Sequence, residues 1–172
     1  MKNLYLIGFM GVGKTTFAFK LSQNYHCLTI DLDEYIVKKN GQSISEYIAK
    51  NGMMSFRKQE FIALNEVSQK NCYIIACGGG IISTVESRQF LKNEHVLYLE
   101  ADFELLYERI RYTSETRPLV KEKTKQELYQ LYKERKSYYD DVATKKVKLS
   151  NNMIENDLKI KKLIEQWKEE RK

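Results

Sequence analysis

Short apolar runs alternate with longer amphipathic stretches along the whole of the 172-residue chain. This alternation predicts an α/β fold, in which helices cover both faces of a mostly parallel sheet. Five of the apolar runs have the length of strands and are apolar enough to be covered on both faces. The predicted strands are Asn3–Ile7, Cys27–Ile30, Tyr73–Ala76, Val96–Leu99 and Lys146–Leu149.

Helices are predicted between and after these strands, where apolar residues recur at helical spacing. The first helix follows a glycine-rich loop and begins near Lys14. The longest helical pattern should break at Asn51–Gly52, because an Asn-Gly pair favours a turn. The last pattern predicts an amphipathic helix that packs on the domain. The predicted helices after the first span residues 33–39, 43–69, 85–92, 103–111, 125–139 and 155–170.

Composition narrows the class of protein. Hydrophobic residues make up 42% of the chain and charged residues 30%, which is typical of one folded domain. No apolar run approaches the ~18 residues of a membrane span. A glycine-rich loop begins at Gly8, where a secretory signal would place its apolar region. We therefore expect a single domain over residues 1–172, located in the cytoplasm and without membrane contact.

The charge and the cysteines exclude two further classes. A net charge of +6 could indicate nucleic-acid binding, but the lysines are scattered along the predicted helices and form no patch. We expect no nucleic-acid partner. Cys27, Cys72 and Cys77 are odd in number and lack CxxC spacing. They predict neither a disulfide framework nor a thiolate metal site, and a reducing compartment fits them best.

Residues 8–15 read GFMGVGKT, a complete GxxxxGK[ST] phosphate-loop signature between a strand and a helix. Its glycines allow successive backbone N–H groups to wrap a phosphate. The Lys14 ammonium should reach the β and γ phosphates of a nucleotide, and the Thr15 hydroxyl should bind Mg²⁺. The predicted ATP contacts of this segment are Gly11, Val12, Gly13, Lys14, Thr15 and Thr16.

A phosphate loop indicates a nucleotide but does not identify the reaction. The chain has no NKxD guanine signature and no DxxG switch, which disfavours a GTPase. Asp31 and Asp33 come at the end of the second predicted strand, where α/β proteins bind ligands. An alternative role for this pair is to cap the following helix, and Asp33 is a candidate for the cap.

Six motifs follow one another from the first strand to about Ala143. They are Gly8–Thr15, Asp31-x-Asp33, Phe56–Arg57 with Glu60, Gly78–Gly79–Gly80, Arg117–Pro118–Leu119 and Arg135. This order resembles that of the shikimate kinase family. The resemblance implies a three-layer P-loop kinase fold with a substrate-binding region at about residues 33–61 and a lid at about 111–124.

This resemblance implies transfer of the γ-phosphoryl group of ATP to the 3-hydroxyl of shikimate, a step of chorismate biosynthesis. Mg²⁺ is the implied cofactor, ATP and shikimate are the implied partners, and a monomer is expected. By the resemblance, Asp31 joins Thr15 at the metal. Asp33 contacts the substrate hydroxyls and orients or deprotonates the one that reacts. Positioning is the favoured role, because phosphoryl transfer needs little early proton abstraction.

The resemblance also assigns the remaining binding residues. Arg57 and Arg135 match arginines that clamp the substrate carboxylate, a task suited to the planar guanidinium group. Without the family, either arginine would be interpreted as part of a surface ion pair. The loop Gly78–Gly79–Gly80 matches a segment that contacts the substrate. Its alternative is a flexible turn.

Two arginine assignments concern ATP. Arg117 lies in a polar stretch without apolar periodicity, which predicts a lid, and it would stabilise charge on the transferring phosphoryl group. Arg109 resembles the family's adenine-stacking arginine, with Arg111 as the alternative. The chain departs from many relatives at Phe19, which lies beside Lys20 where an arginine is common, and at Ile81, where a small residue is common.

Two other functions remain open. Another small-molecule P-loop kinase, such as a gluconate or nucleoside monophosphate kinase, would use the same phosphate loop but would not depend on a substrate carboxylate. A non-catalytic nucleotide-binding or nucleic-acid-binding module would bind without transferring a phosphoryl group, and any binding to nucleic acid would depend steeply on salt.

Overall fold

The structure is a computed structural model that describes residues 2–112 and 123–169. Within these residues, five parallel strands form one sheet in the order β2-β3-β1-β4-β5. The prediction of an α/β fold is confirmed, and the sheet is wholly parallel. The strands are β1 (Leu4–Ile7), β2 (Leu28–Asp31), β3 (Tyr73–Ala76), β4 (His95–Ala101) and β5 (Lys145–Leu149).

Helices connect and flank the strands. The prediction of a break near Asn51–Gly52 is confirmed: Gly52 has a φ of 81° and lies between two separate helices. A short 3₁₀ helix, Ile81–Ser83, was not predicted. The helices are α1 (Lys14–Tyr25), α2 (Leu32–Asn40), α3 (Ile44–Asn51), α4 (Met53–Ser68), α5 (Val85–Leu91), α6 (Phe103–Tyr112), α7 (Lys125–Val142) and α8 (Met153–Glu169).

Strand β1 occupies the centre of the sheet. It pairs with β3 on one side and β4 on the other, with Leu6 opposite both Ala76 and Leu97. Strand β1 runs directly into the phosphate loop, so this loop emerges at the middle of the carboxyl edge of the sheet. In an open parallel sheet with this kind of strand reversal, ligands bind at that edge.

The core consists of apolar side chains from the strands and from the inner faces of the helices. Leu6, Ile75 and Leu97 of the three central strands are fully buried. Burial on both faces is expected for a parallel sheet covered by helices. Helix α1 packs on β1, β2 and β3, and α8 packs on β5.

Polar side chains near both ends of the described chain bind to other elements of the fold. The buried Asn3 side chain donates to Lys70 O at 2.7 Å and accepts from Tyr73 N at 3.0 Å, which anchors the connection before β3. Lys20 of α1 donates to Asp157 of α8 at 2.6 Å. The last helix is therefore held against the first.

Among the described residues, none of the helices combines the length and the apolar character needed to span a membrane.

Candidate active site

The phosphate loop has the backbone that its glycines predict. Gly11 and Gly13 have φ values of 79° and 98°, in the region that other residues rarely adopt. Gly13 is also the N-cap of α1, and Val12 N–H closes the loop onto Phe9 O at 3.3 Å. The loop is thus a concave turn followed by a helix amino end, an arrangement that favours an anion.

Lys14 lies over this loop. Its ammonium group donates to Gly8 O at 2.8 Å and to Phe9 O at 3.2 Å. The two contacts hold a positive charge beside the concave backbone. A phosphate bound in the loop would therefore lie within reach of this ammonium group.

Thr15, Asp31 and Asp33 lie together at the junction of α1 and α2. Asp31 Oδ2 accepts a 2.6 Å hydrogen bond from Thr15 Oγ1. Asp31 Oδ1 accepts from Asp33 N at 3.0 Å and from Glu34 N at 3.3 Å, so Asp31 is the N-cap of α2. The assignment of the cap to Asp33 is therefore wrong, because Asp33 lies in the first turn and its carboxylate points elsewhere.

The Asp33 carboxylate points at the triple-glycine loop that follows β3. A Cβ atom on Gly78 would lie 2.5 Å from Asp33 Oδ1 and 3.0 Å from Glu60 Oε1. A Cβ atom on Gly80 would lie 2.5 Å from Nη2 of Arg57. Only glycine leaves room for three charged groups this close, so the loop is a packing surface for charged side chains.

The middle glycine connects this loop to the phosphate loop and to α7. A Cβ atom on Gly79 would lie 3.4 Å from Met10 N and 3.9 Å from Arg135 Nη1, both ordinary contacts. The Tyr139 hydroxyl donates to Gly79 O. The loop 78–80 is therefore surrounded by every predicted substrate-binding residue: Asp33 from α2, Arg57 from α4 and Arg135 from α7.

Arg57, Glu60 and Arg135 form a buried charged cluster. Arg57 Nη1 and Glu60 Oε2 form an ion pair within α4, and the Glu60 residue is only 2% exposed. Arg135 is 7% exposed and lies over the ring of Phe9, with 5.9 Å between its guanidinium carbon and the ring centre. The two guanidinium groups thus lie near two carboxylates, the buried one of Glu60 and that of Asp33 beside Gly78.

The pKa values in this cluster follow from burial and from neighbouring charges. Burial raises the pKa of Glu60 to about 7, although Arg57 beside it and Arg135 farther away act in the opposite direction. Burial also lowers the pKa of Arg135, and the nearby Arg57 charge adds to that decrease. Because a guanidinium group stays charged in proteins while burial favours the neutral form of Glu60, the cluster can accept a carboxylate supplied by a ligand.

Three residues next to this charged cluster were not assigned a site role from the sequence. Tyr139 fixes Gly79, Phe9 supports Arg135, and Cys77 lies fully buried before the glycines. A sequence signal existed for Tyr139, because it lies four residues after Arg135 and therefore on the same face of α7. No comparable signal exists for Phe9, whose position in the motif accepts any residue.

Arg109 and Arg111 occupy different surroundings on α6. Arg109 Nη2 donates to Ser150 O at 3.5 Å, at the loop between β5 and α8. The Arg111 side chain is 64% exposed and lies 4.0 Å from Glu108. A pocket of about 450 Å³ separates α6 from the β5–α8 loop; it is lined by Glu104, Leu105, Glu108, Arg109 and Asn151.

The other positions singled out in the sequence differ in their exposure, and some lie outside the described residues. Val12 is buried, whereas Thr15 and Thr16 are exposed on the first turn of α1. Arg117, with the lid residues 113–122, lies outside the described residues. Phe19 is exposed, and Ile81 is buried in the 3₁₀ helix.

A metal would have hard oxygen donors at Thr15 and Asp31. In residues 2–112 and 123–169, no cluster of three or more His, Cys, Asp or Glu side chains could hold a metal by itself. Mg²⁺ in kinases is held by one or two protein groups together with the phosphates of the nucleotide. The Thr15–Asp31 pair beside the phosphate loop fits that pattern.

Comparisons with known proteins agree on one family. A family model described as shikimate kinase matches residues 10–167. A shikimate kinase of Enterococcus faecalis is 37% identical over 171 residues, which cover 98% of this chain and 100% of that protein. One from Streptococcus gordonii is 38% identical over 141 residues, covering 81% of this chain and 85% of that protein.

Two solved structures have the same fold. Shikimate kinase from Acinetobacter baumannii in complex with shikimate superimposes with a TM-score of 0.89 and 34% identity, covering 100% of this chain and 96% of that one. Shikimate kinase from Aquifex aeolicus gives a TM-score of 0.80 and 33% identity, covering 95% of this chain and 96% of that one.

Proposed function

This chain belongs to the shikimate kinase family, and from that membership we propose that it transfers the γ-phosphoryl group of ATP to the 3-hydroxyl of shikimate. The observation that carries the proposal is the convergence on the loop 78–80. Asp33, Arg57 and Arg135 come from three different helices and meet there beside the phosphate loop. An acceptor with a carboxylate and hydroxyl groups suits this set of partners.

The carboxylate of the acceptor binds between Arg57 and Arg135. Both guanidinium groups are largely buried, so each contact with an anion is made away from bulk water. Charge-assisted hydrogen bonds of this kind contribute roughly 1.5–3 kcal/mol each. The Glu60 carboxylate keeps Arg57 in place through their ion pair.

Asp33 then orients the reacting hydroxyl. Its carboxylate lies at Gly78, and the next residue, Gly79, faces Met10 N and Gly8 O of the phosphate loop. Asp33 would therefore stand between the acceptor and the nucleotide. The hydroxyl oxygen attacks the γ-phosphorus in line with the bond to ADP, that bond breaks, and the hydroxyl proton passes to the Asp33 carboxylate. Because the transition state is loose, Asp33 acts mainly through positioning.

The phosphates of ATP bind to the phosphate loop. The backbone N–H groups of Gly11, Val12 and Gly13 surround them, and Lys14 exchanges its two carbonyl partners for phosphate oxygens. Thr15 and Asp31 would hold Mg²⁺, with Thr16 beside them on α1. When bound, the metal neutralises charge on the β and γ phosphates.

Arg109 is the better candidate for the adenine contact. It lines the pocket of about 450 Å³ next to Asn151, whereas Arg111 is exposed to solvent. A planar guanidinium group suits stacking on a base. Arg117 keeps its proposed role beside the transferring phosphoryl group.

A test of the function is ADP production with Mg·ATP and a panel of acceptors. The panel contains no acceptor, shikimate, the methyl ester of shikimate, gluconate and nucleoside monophosphates. We expect turnover with shikimate, and at least a tenfold higher KM for the ester, because the ester lacks the negative charge. Turnover with gluconate or a nucleotide instead would favour the other small-molecule kinases.

The same preparation tests the remaining alternatives. Absence of turnover with every acceptor, together with salt-dependent binding to nucleic acid, would favour the non-catalytic module.

We propose a monomer in the cytoplasm that binds no nucleic acid. Sedimentation at two protein concentrations would test the monomeric state.

A further inference from the structure

Two cysteines immediately precede the neighbouring strands β2 and β3. Leu28 and Tyr73 are partners in the parallel register of these strands, so Cys27 and Cys72 are the preceding pair. Leu28 N–H donates to Cys72 O at 3.1 Å, which extends the pairing to this position. Adjacent strands lie about 4.8 Å apart. That separation falls inside the range of Cα distances that a disulfide can span.

The side chains of this pair turn toward each other. The Sγ atoms of Cys27 and Cys72 lie 2.9 Å apart, and both cysteines are in the reduced thiol form. The S–S bond is about 2.05 Å long, so closing it requires a shift of about 0.9 Å. Cys27 is 9% exposed, and Cys72 has intermediate exposure, which gives a reagent access from one side.

We propose that Cys27 and Cys72 form a reversible intrachain disulfide in the presence of hydrogen peroxide. The Cys72 thiolate attacks one peroxide oxygen, the O–O bond breaks and Cys72 becomes a sulfenic acid, and the displaced hydroxide takes up a proton and leaves as water. The Cys27 thiolate then attacks the Cys72 sulfur, an S–S bond forms and a second water leaves. Two thiols lose two electrons in total, and the peroxide gains them.

The disulfide would close a ring that contains the acceptor side of the active site. Residues 27–72 comprise β2, α2, α3 and α4, and they carry Asp33 and Arg57. The cysteines lie at the amino ends of the strands, whereas the site lies at the carboxyl ends. The bond therefore restrains this segment without occupying the site, and it stabilises the fold by restricting the unfolded chain.

Cys77 provides an internal comparison. It is 1% exposed, and burial strongly raises the pKa of its thiol. Its thiol donates to Ile75 O at 4.0 Å, just after the end of β3. Thiolate is the reactive form, so Cys77 stays reduced under mild oxidation.

The experiment treats the full chain with hydrogen peroxide and counts free thiols, then maps disulfide-linked peptides by mass spectrometry without reduction. We expect the thiol count to fall from the three present in the sequence to a single one, a linked peptide pair containing Cys27 and Cys72, and reversal by dithiothreitol. The oxidised protein should melt roughly 5–10 °C higher than the reduced one.

Substitutions of single cysteines test which thiols form the disulfide. Cys27→Ser and Cys72→Ser should each lose the link and the rise in Tm, whereas Cys77→Ala should keep both. The wild-type peptide map decides the matter even if one variant fails to fold. Three remaining thiols, a link through Cys77, a link between two molecules, or a Tm unchanged by oxidation would overturn the proposal.

Discussion

The Lys14 ammonium group donates to the backbone carbonyls of Gly8 and Phe9, which hold its charge beside the phosphate loop. Both acceptors are main-chain carbonyl oxygens of the phosphate loop, which do not depend on the side chain of any other residue. Removing the charge should therefore affect the nucleotide far more than the fold.

We predict that Lys14→Met lowers kcat at least about 100-fold, because the variant loses a positive charge at the transferring group. Its Tm should stay within a few degrees of the wild type. Steady-state kinetics and a thermal melt measure both quantities. Lys20→Met is the matched control on the same helix, since Lys20 pairs with Asp157 at the surface. Full activity in Lys14→Met would contradict the role of the loop.

The buried Glu60 carboxylate should make stability depend on pH. Its pKa in the folded protein, about 7, lies above the ordinary value of 4.5. The folded state therefore binds the proton more tightly than the unfolded state does. The resulting stabilisation is complete below about pH 4.5 and is lost as the pH rises through about 7.

We predict that Glu60→Gln removes this dependence. Between pH 5 and pH 8, the free energy of unfolding of the wild type should fall relative to the variant by about 1–3 kcal/mol. Urea unfolding at four pH values measures the difference. Glu66→Gln on the same helix is the control, because the Glu66 side chain is 38% exposed and its hydrogen bond with Lys39 lowers its pKa instead of raising it. Parallel curves for wild type and Glu60→Gln would rule out the raised pKa.

At the scale of elements, side chains from α2, α4 and α7 pack against the loop 78–80, and its three glycines have different surroundings. Gly80 faces the end of a flexible side chain, the guanidinium group of Arg57. Gly79 faces backbone atoms at ordinary contact distances. An added methyl group should therefore have different effects at these two adjacent positions.

We predict that Gly80→Ala raises the KM for shikimate at least tenfold and leaves the KM for ATP within about threefold. The new Cβ atom pushes the Arg57 guanidinium away from Glu60, and one charge-assisted contact with the acceptor is lost. Gly79→Ala should change either KM by less than about threefold. Initial-rate kinetics with each substrate varied separates the cases. Equal effects of the two variants would contradict the proposed packing.

Local signals predicted most of the elements, and contacts between distant residues explain what the sequence left open. The phosphate loop and the break at Gly52 depend on a few adjacent residues, so the sequence was sufficient there. The strand β4 is longer than predicted because it pairs with β1 over residues 95–98 and with β5 over residues 97–101. The cap falls on Asp31 because β2 extends to this residue, where it pairs with Ala76 of β3. The difference between Arg109 and Arg111 depends on Ser150, which lies far along the chain.

At the scale of the whole molecule, the buried Asn156 fixes the connection from β5 to α8. Its side chain accepts from Ser150 N at 2.9 Å and donates to Ser150 O at 2.8 Å. Ser150 O also accepts from Arg109. This one side chain thus holds the last helix, and the wall of the pocket proposed for adenine, in the same place.

We predict that Asn156→Ala destabilises the protein by about 1–3 kcal/mol, because Ser150 N–H loses its acceptor and Ser150 O loses one of its two donors. This loss corresponds to a decrease of roughly 3–10 °C in Tm. Asp157→Ala removes an exposed ion pair from the adjacent position and should cost less than about 1 kcal/mol. A thermal melt of both variants compares them, and a larger loss for Asp157→Ala would contradict this account.

The central place of β1 in the sheet has a consequence for the order of events during protein synthesis. Strand β1 is made first, but its partners are β3 and β4, which end at residues 76 and 101. The nascent phosphate loop therefore cannot take its final place in the sheet until residue 101 has left the ribosome. Such long-range pairing slows folding and leaves apolar strands exposed meanwhile. The first of the five strands to be synthesised is thus completed only after its later partners.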